Sequence, residues 1–136
     1  MTLANFTKRT PWKAKRRQPE RSLHRTVAYY LDIALPRDVY WYPVPNGAHM
    51  GSRMHAAMMI ATGQLQSGVP DIGLVIKGRA VFIELKAGKN KPTPDQLQAH
   101  LDITLAGGVV GVCYSIDDVR DFLELIGVKL KKVSLP

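Results

Sequence analysis

The sequence predicts an α/β protein, a mixed β-sheet flanked by helices in the order helix, strand, helix, strand, strand, helix, strand, helix, written αβ(α)ββαβα. Three observations carry this. Segments with helical apolar spacing alternate with short β-branched and aromatic runs. Two β-prone runs, 71–77 and 80–87, are joined at Lys77-Gly78-Arg79, a short hairpin. A continuous apolar run, VVGVCY at 109–114, follows a well-signalled helix, as in a strand covered on both faces that closes a βαβ crossover.

Each element has its own signal. Pro19 and Glu20 open the first helix, Leu23, Val27, Tyr30, Leu31 and Ala34 recur at helical spacing, and Pro36 ends it. VYWYPV at 39–44 reads as a strand, followed by a turn at Pro45-Asn46-Gly47. SRMHAAMMIAT at 52–62 reads as a short helix that Gly63 stops; Met54, Met58 and Met59 suit core or a dimer surface better than a cofactor box. After the hairpin and the basic loop GKNKPTP, Thr93 caps a helix with Pro94 at its first position and Gln96 completing a capping box. Leu97, Leu101 and Leu105 form its expected apolar stripe, and Gly107-Gly108 end it. Ser115 caps the last helix, which carries Val119, Phe122, Leu123 and Ile126 and stops at Gly127.

The chain of 136 residues fits one domain at 19–136, preceded by a flexible basic arm at 1–18. No apolar run reaches the length of a membrane span, and the N-terminus lacks the apolar stretch of a signal peptide. A single cysteine, Cys113, precludes an internal disulfide framework or zinc cluster and suits a reducing cytoplasm. Formal net charge is +8. The excess lies in residues 8–25 (Lys8, Arg9, Lys13, Lys15, Arg16, Arg17, Arg21 and Arg25 against the one acid Glu20) and at Lys129, Lys131 and Lys132. Such clusters attract polyanions, nucleic acid first, although a solvated tail has the same composition.

The hairpin carries the chemistry. In a strand, residues i and i+2 share a face, so Glu84 and Lys86 point one way while Ile83 and Leu85 point into the core. The tight turn brings Asp71 opposite the end of the second strand. Two carboxylates and an ammonium then converge, with Lys89 and Lys91 in the adjacent loop. Converging carboxylates repel without a cation, and hard divalent cations prefer oxygen ligands. The patch therefore reads either as a metal site acting on phosphate, with Lys86 steadying water or developing charge, or as an edge hairpin with a Glu–Lys surface pair and an aspartate at a turn.

A set of ordered motifs discriminates further. Pro45-Asn46-Gly47, Gly63, Gly68-Val69-Pro70-Asp71, Phe82-Ile83-Glu84-Leu85-Lys86, Gln96 and Gly107-Gly108 before the strand at 109–114 together resemble the VRR-NUC family, a branch of the PD-(D/E)XK nuclease superfamily. The resemblance spans residues 20–125 and implies a restriction-endonuclease-like core, metal-dependent phosphodiester hydrolysis leaving a 5′-phosphate, and Asp71, Glu84 and Lys86 as the catalytic set. The Leu85 carbonyl is a candidate third ligand for Mg²⁺ or Mn²⁺ beside Asp71 and Glu84. Glu20 matches an acid that the family places beside the metal, and equally suits an acid complementing a helix dipole. Gln96 matches the family's helix glutamine as well as the capping box. His100, one turn on, reads as a solvated histidine or a phosphate contact; His49 and Arg53 are similarly open.

The resemblance further implies a stand-alone phage or bacterial protein acting in the cytoplasm as a homodimer on branched DNA, with four-way junctions favoured. Lys13, Lys15, Arg16, Arg17, Arg53, Lys89 and Lys91 are the expected DNA contacts. Two other functions compete: a flap or other DNA nuclease, and a catalytically inert nucleic-acid-binding module that keeps the hairpin as scaffold.

Overall fold

The computed structural model describes residues 5–8, 20–45 and 52–135. The expected turn residues Asn46 and Gly47, His49, and the arm residues Lys13, Lys15, Arg16 and Arg17 lie outside these. The elements are β1 (Asn5–Lys8), α1 (Glu20–Ala34), β2 (Val39–Pro43), α2 (Arg53–Ala61), β3 (Ile72–Ile76), β4 (Arg79–Leu85), α3 (Pro94–Leu105), β5 (Val109–Cys113) and α4 (Ile116–Leu125). From α1 onward the order matches the expected one. Residues 5–8, expected within a free arm, instead pair in parallel with β5, so the sheet has five strands in the order β1-β5-β4-β3-β2.

The β3–β4 hairpin turns on Lys77 and Gly78, both at positive φ (50° and 77°). This is the mirror-image two-residue turn whose twist matches that of the flanking strands. It sets a register of Ile72 opposite Ile83 and Leu74 opposite Val81. Because opposed residues share a face, these four join Leu85, Val109 and Cys113 on one side of the sheet. Leu23, Val27, Leu31 and Ala34 of α1, and Val119, Phe122 and Leu123 of α4, close that side as the hydrophobic core. Phe122 is fully buried against Gly111, where an added Cβ would come within 2.9 Å of its ring. Trp41 Nε1 donates to Asp32 Oδ1 at 2.9 Å and ties β2 to α1.

Helix α3 covers the other face. Thr93 and Gln96 form the expected capping box: Thr93 N–H donates to Gln96 Oε1 at 2.9 Å, and Gln96 N–H to Thr93 Oγ1 at 3.3 Å. The expected apolar stripe is corrected. Leu97, Leu101 and Leu105 are 55, 51 and 78% exposed, and α3 instead turns Gln96, Ala99, His100 and Ile103 inward, with His100 buried. That set obeys helical spacing equally well. Helix α2 buries none of its residues; Met54 and Met58 are exposed rather than core. Among the described residues no helix is long and apolar enough to cross a membrane.

The contact between Gly111 and Phe122 gives a direct check of the packing. Gly111→Ala should destabilise the chain by roughly 1–3 kcal/mol, the usual cost of overpacking a filled core. Denaturant unfolding measures it, and an unchanged midpoint would contradict the packing described.

Candidate active site

The hairpin register, continued one step past β3, puts Asp71 opposite Glu84. The hydrogen bonding around this pair departs from a plain ladder in a specific way. Lys86 N–H donates to Cys113 C=O at 3.0 Å, so at Lys86 the backbone of β4 faces β5. At Leu85 it therefore faces β3. There the Leu85 N–H donates to the Asp71 side chain, Oδ2, at 2.8 Å. The residue the register sets opposite Leu85 is Pro70, which has no N–H to return to the Leu85 carbonyl. The Asp71 backbone is held from the other side, its carbonyl accepting from Val44 N–H at 2.8 Å.

The segment Gly68-Val69-Pro70-Asp71 is clamped to the start of α3. Gly68 has φ +80°, and a Cβ there would lie 2.4 Å from the Asp95 carbonyl oxygen. Only glycine accepts both conditions. Ser67 Oγ donates to Asp95 Oδ2 at 3.0 Å beside it. Asp71 and α3 are thus positioned against each other by direct backbone contact.

Asp71, Glu84 and Lys86 converge as expected, and the alternative of an edge hairpin with a surface ion pair is overturned. Strands β3 and β4 are both interior to the sheet, Glu84 is 1% exposed and Lys86 7%. Burial pushes the Glu84 carboxyl up to about 10; its hydrogen bond to Asp71 and the Asp71 charge add to this, Glu20 contributes in the same direction, and Lys86 pulls it back. The metal-free chain therefore carries a proton on Glu84 at neutral pH, shared toward Asp71. Lys86 Nζ lies 3.8 Å from Glu20 Oε1, so Glu20 sits at the rim of the same site as well as at the start of α1.

His100 is the residue of this region whose environment the structure corrects. Expected as a solvated histidine, it is 6% exposed, and its Nε2 faces Glu84 Oε1 at 3.5 Å. Neither atom has a hydrogen-bond partner. Burial, then the Lys86 charge, hold His100 below the ordinary histidine range, against a smaller opposing effect of Asp71. With Glu84 raised as well, the contact at neutral pH is between two neutral groups rather than an ion pair. The inward spacing of 96, 99, 100 and 103 was the signal that could have found it.

The other expected residues lie on α2, on α3 and in the loop before α3. Gln96 places its Oε1 in the capping box, which does not use its NH₂. Lys89 and Lys91 are exposed in the loop before α3, and Tyr114 Oη pins that loop by donating to the Asn90 carbonyl at 2.9 Å. Arg53 is exposed at the start of α2.

Among the described residues no three His, Cys, Asp or Glu side chains are grouped to hold a metal. The oxygens at this site are two carboxylates and, across from Pro70, the Leu85 carbonyl. That donor set fits a hard divalent cation such as Mg²⁺, which keeps several waters and needs few protein ligands. Comparison of the chain with protein-family models, with curated proteins and with solved structures finds no match.

The raised Glu84 carboxyl makes stability pH-dependent with a definite sign. Folded, it titrates near 10; unfolded, near 4.5. The unfolded chain releases its proton first, so stability is fullest below 4.5 and is lost as pH rises toward 10. Between pH 7 and 9, where His100 is neutral folded or unfolded, the melting temperature of the metal-free protein should fall. Glu84→Gln should flatten that fall; equal slopes in the two proteins would contradict the burial-driven shift.

Proposed function

We propose that this chain is a metal-dependent, structure-specific DNA endonuclease of the VRR-NUC type that hydrolyses phosphodiester bonds, with four-way junctions as its substrate. The observation that carries the reading is the opposed, buried pair Asp71 and Glu84 beside Lys86 on one rigid hairpin. Burying two facing acids is unfavourable, and core folding does not require it. A divalent cation held by both removes the repulsion that a trapped proton now relieves.

The roles follow from position. Asp71, Glu84 and the Leu85 carbonyl hold Mg²⁺ or Mn²⁺, which when bound polarises the phosphate and lowers the pKa of water. Asp71 is preset for this by the Leu85 N–H, which orients its carboxylate without counter-charge. Lys86, buried beside the acids, stabilises the charge that builds on the phosphate or steadies the attacking water. Glu20, 3.8 Å from Lys86 Nζ, would orient that side chain and is a further candidate ligand for the cation. The Gln96 NH₂, which the capping box does not use, suits a water or phosphate contact at the N-terminus of α3. Lys89, Lys91 and Arg53, with Lys13, Lys15, Arg16 and Arg17, supply cations for the DNA backbone.

Junction preference and a homodimer belong to the same proposal. Paired nicks in a symmetric junction require two active sites, and one chain supplies one. Selectivity then comes from the angle and separation of two backbones rather than from base sequence.

Two experiments check this. Asp71→Ala, Glu84→Ala and Lys86→Ala should each slow Mg²⁺-dependent cleavage by at least about 100-fold, the scale of losing one electrostatic element of a reacting site, while circular dichroism shows the fold intact. Full activity in either carboxylate variant would remove the metal-site assignment. Labelled junction, flap, duplex and single-stranded DNA, incubated with and without Mg²⁺, should show paired nicks near the junction point and little cutting of linear duplex. Faster cutting of the flap, or an active monomer, would exclude junction resolution and leave the nuclease.

A further inference from the structure

We infer that His100 is a positioning residue for Glu84: its Nε2–H donates to Glu84 Oε1 and fixes the rotation of that carboxylate, so that the other oxygen serves the cation. The inference rests on the metal-site reading of Asp71 and Glu84.

Glu84 Oε1 and His100 Nε2 are buried, face each other at 3.5 Å, and have no hydrogen-bond partner. A buried polar atom without a partner is unfavourable, and two of them pointed at one another form an arrangement that a small closure completes. An apolar residue at position 100 would suit a purely structural contact between α3 and β4 better. The flanking inward positions of α3, Ala99 and Ile103, are apolar.

The donor count decides the role. A carboxylate serving as a metal ligand carries no proton and is an acceptor only. The neighbouring backbone donors are used elsewhere, Leu85 N–H by Asp71 Oδ2 and Lys86 N–H by the Cys113 carbonyl, and the Lys86 ammonium lies 3.8 Å from Glu20 Oε1. His100 is the side chain aimed at the remaining Glu84 oxygen, and a neutral imidazole has one N–H to give. His100 is not itself grouped with Asp71 and Glu84 as a metal-holding trio. It therefore acts one step behind the ligand, as outer hydrogen-bond partners of ligating carboxylates do. Its place on α3, whose first turn is clamped to Gly68, links the orientation of Glu84 to the same helix that fixes Asp71.

The test is Mn²⁺ binding to the full chain, read by the electron paramagnetic resonance signal of free Mn²⁺, with no DNA present. His100→Leu removes the donor but fills the space, and it also removes one orphaned atom, so metal-free thermal stability should hold or rise. Its Mn²⁺ affinity should fall 10- to 100-fold, the usual loss for a removed outer partner. His100→Gln, which carries an amide N–H near the position of Nε2, should recover most of that loss, which a structural contact or a metal-ligating imidazole would not allow. Unchanged affinity in His100→Leu, or a loss in His100→Gln as large as in His100→Leu, overturns the inference and leaves the metal site standing. Equal Mn²⁺ binding by the wild-type chain and Asp71→Ala overturns both, because no cation then depends on the acid pair.

Discussion

The structure depends on one register. Ile72 lies opposite Ile83, and every consequence for the site follows from continuing that alignment by one and two residues. One step sets Asp71 against Glu84 inside the sheet rather than at its rim. The next sets Pro70 against Leu85, which deprives that carbonyl of its ladder donor, while the Leu85 amide goes to the Asp71 side chain. A slip of β4 by one residue would turn Glu84 and Lys86 toward the apolar core on the opposite face and away from Asp71. The two-residue turn at Lys77-Gly78, with both φ values positive, is what prevents the slip.

The register alone would give a strained sheet. Two facing acids in a low-dielectric interior hold a proton at neutral pH, and Glu84 keeps it up to about 10. The rest of the fold is arranged so that this pair persists. The core on the α1 and α4 side is apolar and closely packed down to Gly111 beneath Phe122, and it supplies the stability that the acid pair removes. The α3 side carries polar residues and is held by a few directed contacts: the Gly68 approach to Asp95, the capping box, and His100 over Glu84. The apolar core and the buried polar cluster thus occupy opposite faces of one sheet.

Much of this was legible in the sequence. The hairpin was, because Lys77-Gly78-Arg79 interrupts two β-prone runs and only a tight turn fits. So was the convergence of Asp71, Glu84 and Lys86, since strand periodicity and a short turn fix it without knowledge of the remaining fold. The helix caps at Thr93 and Ser115 were local signals and appear where expected, with Ser115 Oγ accepting from Asp118 N–H at 3.1 Å. What escaped was decided at long range. Strand β1 is the tetrapeptide NFTK, too short and too polar to announce itself, and its pairing partner is more than 100 residues away in the chain. The face of α3 was misjudged because three leucines at 97, 101 and 105 form the more hydrophobic of two valid stripes. The sheet surface beneath α3 carries Glu84 and Lys86, so the inward face includes His100 instead.

The central claim is that the buried acid pair is a cation site. Anomalous diffraction from crystals of the full chain soaked in Mn²⁺ tests it most directly. The account predicts a single strong peak within ligand distance of Asp71, Glu84 and the Leu85 carbonyl. No peak there, with Mn²⁺ bound elsewhere on the molecule, would contradict it.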